Sequence, residues 1–284
     1  MKIRDLQQEY IRQLSNLYAR DEAATIFAEF TMHHLRLDRG GYLLALGSHA
    51  DADFIDLARR ALTRLAGGSP LQQLTGQAHF YGLEFTVNEH VLIPRPETEE
   101  LVDWAIKTVA EKTQDGSGLS VMDFCTGSGC IAVVLKHKLP AAAVSALDIS
   151  EAALKVARGN ASRYQTNIRF LCADVLAYET GQPFDVMISN PPYIPDADRS
   201  SLHINVLMHE PELALFVPDN DALVFYKAIA AIAAQDLKKG GYLFFEINPD
   251  YSGELLEHLT LSGFSHVELR QDMHGKDRMI RARK

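Results

Sequence analysis

The chain has 284 residues, enough for one large domain or a large and a small one, with 47% hydrophobic and 23% charged residues in ordinary globular proportion. Its net charge of −9 is the wrong sign for a protein held to nucleic acid by a general basic surface, and no run approaches the ~20 apolar residues of a membrane span. Three cysteines without a C-x-x-C pair, and histidines without H-E-x-x-H, predict free thiols and no metal site. The N-terminus MKIRDLQQEYIRQL has acids and glutamines where a signal peptide would be apolar, so a soluble cytoplasmic protein is expected.

From Met1 to about Leu65 the pattern is helical. Ile3, Leu6, Tyr10, Leu14 and Leu17 recur at three- and four-residue steps, and Ala24, Phe27, Phe30 and Leu35 follow less regularly. A third segment, capped by Asp51 or Asp53, carries Phe54, Leu57, Ala58, Ala61, Leu62 and Leu65 on one face, and GGSP at 67–70 stops it. A small helical domain over residues 1–72 is expected. Aromatic and β-branched residues around Gly82 predict a β-hairpin connector at 73–95. Residues 96–284 form the third segment. It opens on a helix with Pro96 near its start and Glu97, Glu99 and Glu100 in the first turn, where capping alone would explain the acids.

Beyond this helix strands and helices alternate. SVMDF, AVSALDI, IRFLCA, FDVMISN and GYLFFEIN read as strands, with CIAVVLKHK, SEAALKVARGNASRY and DALVFYKAIAAIAAQDL as the helices between them. GELLEHLTL reads as a last helix before the strands SHVELRQD and DRMIRARK. Such alternation predicts an α/β fold with a mostly parallel sheet covered on both faces.

The first of these strands ends in DFCTGSGCIA, where Gly127 and Gly129 let the backbone approach a ligand. Asp148, ending the next strand, stands at the spacing of an acid that binds ribose hydroxyls. An adenosine-containing cofactor follows. The loop leaves a nicotinamide dinucleotide open, whereas Asp123 beside it suits the sulfonium cation of S-adenosylmethionine. Asp174 is either an acceptor for the adenine amino group or a turn residue, and Val175 could pack on the ring.

The fourth strand runs into ISNPPYIPDA at 188–197. Two prolines remove two donors, so the segment is expected neither to continue a strand nor to begin pairing with another. It is a stiff loop or a bracket for a substrate. A planar nitrogen is hard to methylate because its lone pair is delocalised; Asn190 Oδ1 and the Pro191 carbonyl could take its two N–H groups while Tyr193 stacks on the plane. No general base is expected, and orientation with electrostatics carries the rate.

These residues closely resemble the HemK-type release factor glutamine methyltransferases. The resemblance rests on D-x-C-T-G-S-G at 123–129, NPPY at 190–193, LIPRPETEELV at 92–102 and the terminal RQDMHGKDRMIRARK. It implies a class I, Rossmann-like methyltransferase fold: a seven-stranded sheet with an antiparallel last strand, preceded by the helical domain and the hairpin. It also implies S-adenosyl-L-methionine as cofactor, S-adenosyl-L-homocysteine as product, and methylation of the side-chain amide nitrogen (N5) of the Gly-Gly-Gln glutamine in class 1 peptide chain release factors. Carried over by motif, Cys125, Thr126, Gly127, Ser128, Gly129, Asp148, Val175 and Asn190 contact the cofactor, joined by Asp123 and Asp174 from the reading above. Asn190, Pro191, Pro192 and Tyr193 hold the glutamine, and the helical domain helps dock the release factor. The chain departs from the family's pattern at Val175, where an aromatic is common, and at Asn248-Pro249, where glycine is. The alternatives are a methyltransferase for another planar nitrogen, in a ribosomal protein or a nucleic acid base, and a non-catalytic release-factor-binding module.

Overall fold

The computed structural model describes residues 1–110 and 113–284. They form two compact units, residues 1–77 with 203–209 and residues 78–202 with 210–284.

The first unit contains α1 (Ile3–Gln13), α2 (Arg20–Leu35), α3 (Arg39–Ala45), α4 (Ala52–Ala66) and α5 (Leu71–Thr75). Apolar residues three and four apart put Ile3, Leu6 and Tyr10 of α1 against Phe27 and Phe30 of α2 and Phe54, Ala58, Leu62 and Leu65 of α4. Asp51 starts α4 by accepting from the Phe54 amide at 2.6 Å. The three helical segments read from the sequence omit α3 and α5. α3, RGGYLLA, has two glycines and buries only Tyr42, so it carries no helical stripe; an Asp38 cap on the Gly41 amide at 2.7 Å starts it. At the centre of this core Tyr10 meets Phe27 edge-on at 4.8 Å, and its hydroxyl donates to the Ala58 carbonyl at 2.6 Å. Tyr10→Phe is expected to cost about 1 kcal/mol of stability, because one buried hydrogen bond is lost without a cavity; urea denaturation checks it.

The second unit begins with the hairpin of β1 (Gln77–Phe80, its first residue belonging to the first unit) and β2 (Leu83–Thr86), followed by α6 (Pro96–Ala110). The alternating part is β3 (Ser120–Phe124), α7 (Cys130–Lys138), β4 (Ala143–Asp148), α8 (Glu151–Arg163), β5 (Ile168–Cys172) and β6 (Phe184–Ser189). Then come β7 (Ile194–Pro195), α9 (Ile204–His209, in the first unit), β8 (Phe216–Val217), α10 (Val224–Asp236), β9 (Leu237–Glu246), α11 (Ser252–Leu261), β10 (Ser265–Gln271) and β11 (Asp277–Arg283). The main sheet has the order β10-β11-β9-β6-β3-β4-β5. β3, β4, β5, β6 and β9 are parallel, and β11 runs antiparallel to both neighbours.

Successive residues of each strand enter different cores, as the two-residue pleat demands. Val121, Val186, Ile188 and Phe244 pack with Leu101, Trp104 and Val133 from α6 and α7. Met122, Met187, Leu243 and Phe245 pack on the other face with Tyr226, Ile229 and Leu255 from α10 and α11. Burial on both faces explains why these strands read as continuous apolar runs.

One expectation fails. The bracket does begin a new pairing: Ile194 and Pro195 of β7 lie parallel to Phe216 and Val217 of β8, and the amides of Tyr193 and Ile194 donate to the Leu215 carbonyl at 3.3 and 3.0 Å. The prolines remove donors only at 191, 192 and 195, so Tyr193 and Ile194 between them keep theirs.

Candidate active site

β6 lies beside β3, so the bracket and the glycine loop leave neighbouring strand ends. A cavity of about 390 Å³ opens beyond the carboxyl ends of β3, β4, β5 and β6, where the chain's strand order reverses. Its walls include Cys125, Gly127, Asp148, Asp174, Val175, Asn190 and Pro192, with Phe225 from α10.

The loop is held from three sides. Asp148 Oδ2 accepts from the Gly127 amide at 2.8 Å and Oδ1 from the Ser150 amide at 2.9 Å. Asn160 of α8, fully buried, donates to the carbonyls of Ser128 (2.9 Å) and Thr86 (3.0 Å) and accepts from the Thr86 amide, tying the loop to β2. Below, Thr126 Oγ1 donates to Asp123 Oδ2 at 2.5 Å. Gly127 and Gly129 have φ of +54° and +79°. A β-carbon at Gly129 would stand 2.9 Å from that of Ala157, whereas at Gly127 it would meet nothing within 4 Å. Gly129 therefore serves the packing of the loop on α8, and Gly127 keeps the cavity floor bare.

The predicted cofactor residues divide accordingly. Cys125, Gly127, Asp148, Asp174, Val175 and Asn190 line the cavity; Asp123, Thr126, Ser128 and Gly129 do not. Burial pushes the Asp123 carboxyl up to about 7 against the Thr126 hydroxyl bond, and desolvation also raises Asp148. Asp174 spends one oxygen on the Leu176 amide at 2.9 Å, the turn role, while still facing the cavity. A carboxylate oxygen with one backbone donor keeps a second acceptor site, so Asp148 can still take ribose hydroxyls. The bare floor at Gly127, the acid at Asp148 and the apolar Val175 fit an adenosine-containing cofactor such as S-adenosyl-L-methionine.

Within the bracket Asn190 and Pro192 line this cavity, whereas Pro191 and Tyr193 lie outside its lining, so any substrate contact they make is at its edge. Ser189 Oγ donates to the Phe124 carbonyl at 2.8 Å, fastening the bracket's root to β3. Asn190 Nδ2 donates to Thr98 Oγ1 at 3.2 Å, and Thr98 Oγ1 donates to Glu246 Oε2 at 2.5 Å. The Tyr193 hydroxyl donates to Glu246 Oε1 at 3.3 Å, and Asn248 Nδ2 donates to the Tyr193 carbonyl at 3.1 Å. Asn248, a departure from the family's pattern, thus anchors the bracket. Next to the lining residues Pro211, Leu213 and Ala214, Glu210 accepts from Arg95 Nη2 at 2.6 Å and from the Ile93 amide at 3.3 Å, tying the start of this stretch to residues 93–95.

Sequence reasoning missed Thr98, Asn160, Glu210 and Glu246. Asn160 and Glu210 lie in polar stretches that carry no motif, and Thr98 sits between the acids of PRPETE; Glu100, which follows that motif, accepts from the Met273 amide at 3.2 Å. A buried acid in the strand YLFFEIN was the one available signal.

A glycine loop and the acid Asp148 at the carboxyl ends of this sheet, with β11 antiparallel and the NPPY turn beside them, are the arrangement of a methyltransferase. Residues 98–216 match the family model described as "Methyltransferase small domain". A methyltransferase from Pyrococcus furiosus has the same fold, with a TM-score of 0.53 at 16% identity over 80% of this chain and 98% of that one. The chain belongs to the release factor glutamine methyltransferases. It is 39% identical to the Release factor glutamine methyltransferase of Flavobacterium psychrophilum over 99% of each chain, and 37% identical to that of Bacteroides thetaiotaomicron over 96% of this chain and 97% of the other.

Proposed function

We propose that the chain methylates the side-chain amide nitrogen (N5) of the glutamine in the Gly-Gly-Gln motif of class 1 peptide chain release factors. The observation that carries this reading is the Asn190 carboxamide, set at the cavity wall with its Nδ2 already bound to Thr98. Its Oδ1 is then left for a substrate N–H. When bound, S-adenosyl-L-methionine supplies a methyl group on a cationic sulfur.

The chain's own residues do the positioning. Asp148 holds the ribose hydroxyls, Val175 lies against the adenine, Asp174 accepts from its amino group, and the backbone from Cys125 to Gly127 leaves room for the rest. Asn190 Oδ1 and the Pro191 carbonyl each accept one N–H of the glutamine amide, which turns its π lone pair toward the methyl carbon; Pro192 and Tyr193 bound the slot. Fixed φ angles at the prolines keep both acceptors still, and such orientation is worth up to ~7–11 kcal/mol in intramolecular models. The proton leaves after transfer, so no base is required.

Residues 1–72 are assigned to docking the release factor and residues 96–284 to the transfer, with 73–95 linking them. We place the protein in the cytoplasm with its substrate; among the described residues no helix is long and apolar enough to cross a membrane. Incubation with labelled S-adenosyl-L-methionine and a purified release factor, then mass mapping of the Gly-Gly-Gln peptide, should show one added methyl on the glutamine. An unmodified glutamine in the presence of a cofactor-binding enzyme would overturn the reading.

A further inference from the structure

Asn190, Thr98 and Glu246 come from the turn after β6, the first turn of α6 and the end of β9. Thr98 and Glu246 are 2% and 1% exposed, and the transfer described above uses neither. We infer that Thr98 and Glu246 are positioning residues that decide which way the Asn190 carboxamide points. The inference rests on the reading that Asn190 Oδ1 accepts an N–H of the substrate glutamine.

The argument is a count of protons. Thr98 has one hydroxyl proton and gives it to Glu246, so toward Asn190 it offers only a lone pair. The amide must meet it with Nδ2. Its Oδ1 then faces away from Thr98, as an acceptor for the glutamine. An ionised Glu246 takes the Thr98 proton on one oxygen and the Tyr193 proton on the other. Protonation of Glu246 on the Thr98 side reverses the chain: the carboxyl donates to Thr98, the Thr98 proton turns to Asn190, and the carboxamide is satisfied by rotating Oδ1 inward. Its NH2 group then confronts the N–H groups of the glutamine, donor against donor.

The surroundings place this reversal within reach of physiological pH. Burial, with Glu97 adding repulsion, pushes Glu246 up to about 7 against the Thr98 and Tyr193 hydroxyls and the Arg278 guanidinium. Arg278 is itself paired with Asp272 at 3.1 Å, Tyr226 donates to the Glu246 backbone carbonyl at 3.0 Å, and the neutral Cys130 thiol, its own acidity lowered by burial, is a further titratable neighbour. Since the working form is the ionised one, it is half populated near pH 7, approaches full population as pH rises beyond that, and declines as pH falls through that value.

The test uses the full chain with a purified release factor. Thr98→Val should lower kcat about 30-fold while the KM for the release factor and the Kd for S-adenosyl-L-homocysteine stay within about twofold. Thr98→Ser should bring kcat back to within about threefold, because the hydroxyl and not the methyl does the work. In the unaltered enzyme kcat should rise about tenfold per pH unit below 7 and then level; Glu246→Gln should abolish that rise, and this arm stands even if Thr98→Val does not fold. Undiminished kcat in Thr98→Val, failure of Thr98→Ser to restore it, or an unchanged pH profile in Glu246→Gln would each overturn the inference. Absence of methylation by the unaltered enzyme is a different result, which counts against the assigned substrate.

Discussion

Asn190→Ala should turn over a release factor about a thousandfold more slowly than the unaltered enzyme while binding S-adenosyl-L-homocysteine within about twofold, the size of effect seen when one preorganised group is removed from a reacting centre. Among the described residues the side chain makes one hydrogen bond, from Nδ2 to Thr98, so its removal is expected to leave the fold intact. What disappears is the acceptor that holds the glutamine amide with its lone pair exposed. A single-turnover measurement separates chemistry from product release. Turnover surviving at more than a tenth of the original rate would refute the clamp, since loss of a bound acceptor is worth well over the ~1.4 kcal/mol of a tenfold change.

The second large effect distinguishes two glycines of one loop. Gly127→Val should weaken S-adenosyl-L-homocysteine binding by about a hundredfold or more, with a modest stability cost of roughly 1–2 kcal/mol for an L-residue in the left-handed region. Gly127 lines the cavity, and a β-carbon there meets nothing within 4 Å, so the added bulk is expected to take up cofactor space rather than to overlap the fold. Gly129→Val should instead destabilise the second unit by about 3 kcal/mol or more, because strain is joined by overlap with Ala157 at 2.9 Å. Titration calorimetry and thermal unfolding on the two variants check this division. Equal losses of affinity and of melting temperature in both would contradict the assignment of Gly127 to the cavity floor.

Much of this architecture is legible in the sequence. CIAVVLKHK coincides with α7 and SVMDF with β3; both are buried apolar runs without a clear period, and the glycine loop between them together with the polar ends of each run marks their limits. α3 was not legible, since Leu43 and Leu44 are exposed and the glycines beside them are poor helix formers; its Asp38 cap and the burial of Tyr42 support it instead. The pairing of β7 with β8 escaped for a related reason: two residues give no alternation, and donors between prolines look lost until a partner carbonyl, here that of Leu215, stands in front of them.

The site divides along the same line. Elements whose chemistry is local are readable from the residues alone: the glycine loop, the acid at the end of β4, and the turn in which two prolines hold one asparagine. Backbone angles and residue type act within a few residues, so these can be read from a contiguous string. What stands behind the asparagine depends on the packing of distant segments. Thr98 lies 92 residues from Asn190 and 148 from Glu246, and their hydrogen bonds exist because the sheet order sets β6 between β3 and β9 with α6 packed across them. A buried carboxyl must find its donors wherever packing brings them, and the choice of neighbouring strand is a property of the whole core.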